Sequence, residues 1–362
     1  MNFINIKDWG APLAQPREPL LIAGPCSAET EAQVLASCRG AAAQGAAILR
    51  AGIWKPRTRP NSFEGVGAVG LPWIVAAGKE TGLPVTIEVA KARHVELALK
   101  AGIDILWLGA RTTVNPFAVQ EIADALRGAD VPVLVKNPVN PDVDLWMGAI
   151  ERIHGAGIEK LAAIHRGFSV SRSTPYRNLP MWEIPIELGR RLPQLEIICD
   201  PSHICGRRDL IAGVAQKALD LSFAGLMIET HIEPDAAWSD AQQQLTPLAL
   251  GQTLDQLILR RSDTDNQEFL ANLEALRYDI DHIDRELIQL MGKRMEVVRE
   301  IGRYKKANDV TILQMNRWTR IFDNRVTATI AEGLSSEFAQ AFIQSIHNES
   351  IRQQTEVMNE KC

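Results

Sequence analysis

Eight short apolar runs in the first 250 residues, alternating with helical stretches, constrain this chain's fold more than any other feature. They lie at 20–26, 47–53, 84–89, 104–110, 131–137, 160–166, 195–200 and 225–230. Ala- and Leu-rich helical patterns such as 91–101, 143–155 and 208–219 separate them. Eight strands, each followed by a helix or a long connection, match a closed (β/α)8 TIM barrel of the α/β class in count and size. An open doubly wound sheet is the alternative. The barrel reading predicts that polar residues at the strand C-termini share one face.

Those strand ends are rich in charge. The second run leads to Arg50 and then Lys55-Pro56-Arg57-Thr58; the third carries Glu88 and the fourth Gly109-Ala110-Arg111. Lys136 ends the fifth, His165-Arg166 the sixth, Asp200-Pro201-Ser202-His203 the seventh and Glu229 the eighth. A lone arginine in a loop is usually only solvated. Arg50, Arg57, Arg111, Arg166 and Arg172 on one rim with Lys55 and Lys136 would repel one another unless anions sit among them, so phosphorylated substrates are expected. The first strand delivers Cys26 to the same rim, and Asp240 lies in the loop after the eighth. Taken singly, Cys26 also reads as a small core residue and His203 as a loop histidine. Together, Cys26, His203, Glu229 and Asp240 form a mixed donor set suited to one divalent metal ion of the Mn, Zn, Fe or Co class.

Totals exclude several other functions. With 362 residues, 46% hydrophobic and 23% charged, the chain is long enough for two domains. A net charge of -5 gives no reason to expect nucleic acid. No apolar run approaches the ~20 residues of a membrane span, and no signal peptide is visible. Five cysteines, an odd number in a long chain, point to reduced thiols and a cytoplasmic protein.

Past residue 250 the pattern changes. A polar linker at 261–267 divides a barrel domain, 1–260, from a helical domain, 268–362. Residues 268–307 lack proline and read as one helix of roughly 60 Å. Leu276, Ile280, Ile283, Leu287, Leu290, Val297 and Ile301 follow alternating steps of three and four, so this seam is expected to pack against another helix. Arg294 interrupts the seam and is a functional suspect. Lys305 lies on the same face ~16 Å away, whereas Arg277 is ~25 Å from Arg294 and turned about 100° round the helix. Arg277 therefore suits a partner's pocket, which predicts an intertwined homodimer. Two shorter helices are expected near 315–332 and 336–358, the last placing Ser350 and Gln354 one turn apart.

The motifs at 24–27, 55–58, 109–111, 165–167 and 200–203, with Glu229 and Asp240, resemble the metal-dependent 3-deoxy-D-arabino-heptulosonate 7-phosphate synthases over roughly 20–245. The resemblance implies a (β/α)8 barrel that joins phosphoenolpyruvate to erythrose 4-phosphate. It implies Cys26, His203, Glu229 and Asp240 as metal ligands, and Arg50, Lys55, Arg111, Lys136 and Arg166 as the phosphoenolpyruvate site. Arg57 and Thr58 would hold the aldose, and Glu88 is a candidate for delivering water. The sister 3-deoxy-manno-octulosonate 8-phosphate synthases are the rival, disfavoured by the intact Lys-Pro-Arg-Thr.

Residues 268–358 resemble the all-helical chorismate mutases, which convert chorismate to prephenate. Arg277, Arg294, Lys305, Arg317, Ser350 and Gln354 fall on that family's binding positions, with Arg277 reaching the neighbouring subunit. Lys305 and Gln354 would face the breaking ether bond. Gln314 and Trp318 depart from the family, which usually has acidic residues there. That departure keeps open a sensor with weak turnover, and a pure dimerisation module is a further alternative. Fusion of the two activities suggests prephenate as a feedback effector of the barrel.

Overall fold

The computed structural model describes residues 1–10, 18–56, 61–171, 173–261 and 263–360. Arg57, Thr58, Arg172 and Cys362 lie outside the described residues. The chain divides into two compact units, Met1–Ser262 and Asp263–Cys362. Among the described residues no helix is long and apolar enough to cross a membrane.

The first unit is a closed parallel barrel of eight strands in sequence order. These are β1 (Leu20–Gly24), β2 (Ile48–Ala51), β3 (Val85–Val89), β4 (Ile105–Leu108), β5 (Val133–Lys136), β6 (Leu161–His165), β7 (Ile197–Cys199) and β8 (Gly225–Glu229). Closure pairs β1 with β8, from Leu20 opposite Gly225 to Gly24 opposite Glu229. An open doubly wound sheet is thereby ruled out. Most strands end one or two residues before their apolar run does, and those last residues already belong to the rim. In β1 the ladder stops before Pro25, which has no N–H to donate.

Ten α-helices lie among the described residues of this unit. They are α1 (Glu31–Ala43), α2 (Leu71–Thr81), α3 (Ala92–Ala101), α4 (Ala110–Thr113) and α5 (Pro116–Leu126), then α6 (Val143–Gly155), α7 (Glu183–Arg191), α8 (Pro201–Cys205), α9 (Ile211–Asp220) and α10 (Pro247–Asp255). Several start on the cap their sequence offers. Thr30, Asn115, Asp142 and Thr246 each accept a hydrogen bond from a backbone N–H in the first turn.

Inside the barrel, Ile22, Ile48, Trp107, Leu134, Ile164, Ile198 and Met227 form one packed core. Ile6 and Trp9, from a 3-10 turn near the N-terminus, join that cluster at the strand starts. The opposite end of the barrel is left to polar side chains. Gly24 is indispensable where β1 meets β2. Its φ is +145°, and a Cβ there would lie 2.2 Å from the Arg50 carbonyl oxygen.

The second unit is three helices: α11 (Gln267–Ala307, 41 residues), α12 (Met315–Ala331) and α13 (Ser336–Asn359). Inside the unit α11 buries Met295, Val298 and Gly302, and α13 buries Ala339, Ile343, Ser350, Gln354 and Val357. A Cβ on Gly302 would come within 3.3 Å of the Val357 Cβ, so the two helices cross closely there. The expected seam differs from this. Leu276, Ile280, Ile283, Leu287, Leu290, Val297 and Ile301 are all between 42% and 61% exposed in the chain. The contact of α11 inside its unit uses the neighbouring face near its C-terminus, and among the described residues of that unit the apolar row is left largely exposed.

Candidate active sites

Eight of the rim residues expected from the strand ends line one polar cavity. Arg50 comes from β2, Glu88 from β3, Arg111 from α4, Lys136 from β5 and His203 from α8; Lys55, Arg166 and Asp240 come from the loops between. Its free volume is about 40 Å³, and two of its cations pair with carboxylates around it. Lys136 Nζ lies 2.6 Å from Asp200 Oδ2, and Arg50 Nη2 lies 3.2 Å from Glu229 Oε1. Beneath them Trp107 offers a ring face, 4.9 Å from the Arg50 guanidinium and 5.7 Å from Lys136 Nζ. Gly109 makes room for Glu88, whose Oε1 would be 1.9 Å from a Cβ at that position.

Charge in this cavity is poorly balanced. Burial, reinforced by Arg177 and Arg111, pushes the Arg166 guanidinium down to about 10 despite Asp200. Burial also lowers Lys136, with Arg50 adding to it and Asp200 opposing. Arg50 is buried, and among the described residues its Nε and Nη1 have no hydrogen-bond partner. Orphaned buried donors of this kind are costly in a resting protein and ready for an anionic ligand.

His165 does not join the rim. It is fully buried against Trp182 at 5.2 Å, Phe168 at 5.7 Å and Phe223 at 6.1 Å, and burial followed by Arg166 pushes it down to about 3. It is a neutral packing residue.

The helical unit holds a second cavity of about 420 Å³. Arg294 and Lys305 from α11, Gln314, Arg317 and Trp318 at the start of α12, and Ser350 and Gln354 from α13 all line it. Arg294 Nη1 donates to Ser350 Oγ at 2.8 Å, and Lys305 Nζ donates to the Ile312 carbonyl. Gln354 Oε1 is buried without a hydrogen-bond partner among the described residues. Trp318 stacks on His347, centroids 3.4 Å apart and planes 12° from parallel. Arg277 is elsewhere, exposed and paired with Glu274 one turn back on α11.

Comparison with known proteins decides the lineage. Residues 15–264 match the family model described as DAHP synthetase I family. The chain belongs to that family. Residues 276–355 match the model described as chorismate mutase type II, so the DAHP synthetase barrel is followed by a chorismate mutase domain. Phospho-2-dehydro-3-deoxyheptonate aldolase of Thermotoga maritima is 31% identical over 225 residues, covering 62% of this chain and 64% of the relative. The chain thus spans slightly under two thirds of that relative's length. A 2-dehydro-3-deoxyphosphooctonate aldolase of Nitrobacter hamburgensis is 28% identical over 247 residues, 62% of this chain and 82% of its own. Among solved structures, the Thermotoga maritima DAHP synthase superposes with a TM-score of 0.58 at 27% identity, covering 65% of this chain and 66% of that one.

DAHP synthases of type I are generally metal-dependent. In this DAHP synthetase barrel the four candidate ligands stand as two pairs. Cys26 Sγ is 3.1 Å from Asp240 Oδ2, and His203 Nε2 is 3.6 Å from Glu229 Oε1. Among the described residues no three such side chains close into a ready-made cage. Their chemistry nonetheless fits a divalent cation. Glu229 Oε1 is buried and, beyond its ion pair with Arg50, accepts no hydrogen bond among the described residues; Asp200 Oδ2 holds His203 Nδ1 at 2.8 Å, leaving Nε2 turned toward Glu229. Cations stand beside two of the candidate ligands: Lys55 Nζ is 2.6 Å from the Cys26 sulfur, and Arg177 Nη1 is 2.8 Å from Asp240 Oδ1. Burial, then Glu229, raises the Cys26 thiol well above its ordinary value, so it ionises only against a strong positive charge.

Sequence reasoning missed four members of these sites. Arg177 lines the barrel cavity and ties Asp240 to Gln243, with 2.8 Å to each. Gln243 in turn donates to Glu229 Oε2 at 2.7 Å. Arg177 lies in an irregular segment and Gln243 ends a three-residue 3-10 turn, neither long enough for periodicity to mark a face. Arg325 and His347 line the mutase cavity; Arg325 stands eight residues after Arg317, a spacing that could have found it.

Proposed function

We propose that the barrel condenses phosphoenolpyruvate with erythrose 4-phosphate to 3-deoxy-D-arabino-heptulosonate 7-phosphate and phosphate, and that the helical domain rearranges chorismate to prephenate. The observation that carries the first reading is the buried Arg50 with two unpartnered N–H groups, in one cavity with Arg111, Lys136 and Arg166. These cations bind phosphoenolpyruvate, and Lys55 extends the same field. Arg57 and Thr58 are assigned to the aldose from their motif. Holding two anions together is mainly a proximity effect. Carbon 3 of the enol attacks the aldehyde carbon, water adds at carbon 2 with Glu88 as candidate base, and phosphate leaves. A divalent cation of the Mn, Zn, Fe or Co class, held by Cys26, His203, Glu229 and Asp240, would supply Lewis acidity toward the aldehyde oxygen.

Chelation tests this directly. EDTA is expected to reduce phosphoenolpyruvate consumption to background, with recovery on adding Mn or Co ions; a rate indifferent to EDTA contradicts the metal assignment. Prephenate is proposed as a feedback effector, and synthase rates unchanged by saturating prephenate dispose of that role.

For the mutase, Arg294 and Arg277 of the partner subunit are assigned to the two carboxylates, with Arg317 and Ser350 supporting. Lys305 and Gln354 are assigned to the ether oxygen. The rearrangement needs no nucleophile; holding the folded conformer and placing charge at the breaking bond suffice. A homodimer is proposed because the apolar row from Leu276 to Leu290 is exposed and Arg277 lies away from its own pocket. Sedimentation is expected to give twice the chain mass of 40.0 kDa. Ile283→Glu with Leu287→Glu is expected to yield monomers that lose mutase activity, and a parent that sediments as a monomer contradicts the dimer. Gln314 and Trp318 favour a second reading, a chorismate or prephenate sensor with weak turnover. The free, buried thiols Cys26, Cys38, Cys199 and Cys205 agree with a reducing cytoplasm.

A further inference from the structure

The mutase cavity carries a cation that the assignments above do not use. Arg325, on α12, lines it together with Arg294, Lys305 and Arg317. Arg317, Ile321 and Arg325 follow one another at steps of four, so they share a face of α12 and span ~12 Å. On α11, Arg294, Val298, Ile301 and Lys305 form the facing row, ~16 Å long. Both rows place cations at their ends and apolar residues between. The electrostatics pair the ends. Burial and then Arg325 lower the Arg294 guanidinium, while burial and then Arg317 lower Lys305.

The cavity therefore has two positive poles separated by an apolar middle. Among its described lining residues there is no Asp or Glu. Like charges facing one cavity are unfavourable until an anion joins them. Gln354, only 8% exposed, adds an independent sign of a ligand site, since its Oε1 has no hydrogen-bond partner among the described residues. A ring bearing separated carboxylates matches this distribution of charge and apolar surface.

We propose that Arg325 is a further substrate-binding residue of the mutase pocket, forming with Arg294 a same-chain clamp on one carboxylate of a chorismate-class dicarboxylate. The proposal rests on the mutase reading and deepens it. Each chain then keeps a carboxylate clamp of its own, to which Arg277 of the partner subunit is an addition.

The test is chorismate turnover and calorimetric chorismate binding by the full-length chain and its variants. Arg325→Met keeps the aliphatic stem and removes the charge. Its KM is expected to rise about tenfold or more, the loss of one charge-assisted contact, against a fall in kcat no greater than threefold. Arg325→Lys should recover part of the affinity, which a purely structural role for the arginine fork would not allow. A KM within twofold of the parent in Arg325→Met overturns the proposal and leaves the mutase reading intact. If the parent binds chorismate without turning it over, binding decides: tenfold weaker in Arg325→Met upholds the clamp, and equal binding overturns it. A parent that neither binds nor converts chorismate removes the mutase reading, and the proposal with it.

Discussion

Asp200→Ala is expected to abolish the barrel's condensation and to destabilise the barrel by about 3–5 kcal/mol, the usual cost of breaking a buried ion pair from one side. Asp200 is fully buried and serves three partners. It accepts from the His203 backbone N–H at 3.1 Å and so starts α8, it holds His203 Nδ1 at 2.8 Å, and it pairs with Lys136 Nζ at 2.6 Å. Alanine removes the carboxylate that pairs directly with the buried Lys136, and it frees the His203 ring to turn. Asp200→Asn preserves the shape and separates charge from packing. Phosphoenolpyruvate consumption and the denaturant midpoint of the barrel transition measure both effects. An Asn variant within tenfold of parental activity would contradict the role given to this carboxylate.

The same residue sets a sign for acid stability. Burial alone would raise the Asp200 pKa, but His203, Lys136 and Arg50 outweigh it and hold the carboxyl well below the usual range. A depressed folded-state pKa means that its contribution is present above the unfolded value near 3.9 and is lost as pH falls towards the folded one. Acid unfolding of the barrel at low pH should therefore weaken in its pH dependence when Asp200 becomes Asn.

Lys305→Ala should slow the mutase by about 100-fold or more in kcat, the scale reached when one preorganised charge is removed from a reacting oxygen. Lys305 is partly buried in the cavity wall, and its Nζ is held by the Ile312 carbonyl where α11 gives way to the loop before α12. That anchor limits the reorganisation the ammonium must undergo when substrate binds. Binding should change less than rate, because Arg294 and the other cations remain. A rate within threefold of the parent would remove Lys305 from the reaction and turn attention to the sensor reading.

Much of the barrel could be read from the chain, since eight β-branched runs ended by Pro, Gly or charge leave few other architectures. The rim followed from the same logic: a residue such as Lys136 or Glu229 at a strand's C-terminal end has one place to go. The supporting residues were harder. Trp107 reads as an ordinary core residue within Ile105–Leu108, and only the fold places its ring under Arg50 and Lys136. Arg177 reaches Asp240 across 63 residues of chain, a pairing no local pattern encodes. On α11 the period of the apolar row was legible but its partner was not. Periodicity names a face, and the intrachain contact falls instead on Met295, Val298 and Gly302, where a glycine permits close approach to α13.

The most direct test of the barrel's function is phosphoenolpyruvate consumption by the full-length protein, followed by ultraviolet absorbance, with erythrose 4-phosphate and arabinose 5-phosphate in parallel. The account predicts chelator-sensitive loss of phosphoenolpyruvate with the four-carbon sugar alone. Consumption driven by the five-carbon sugar instead would contradict it, placing the barrel's chemistry with the octulosonate branch and leaving the chorismate mutase domain without a pathway to share.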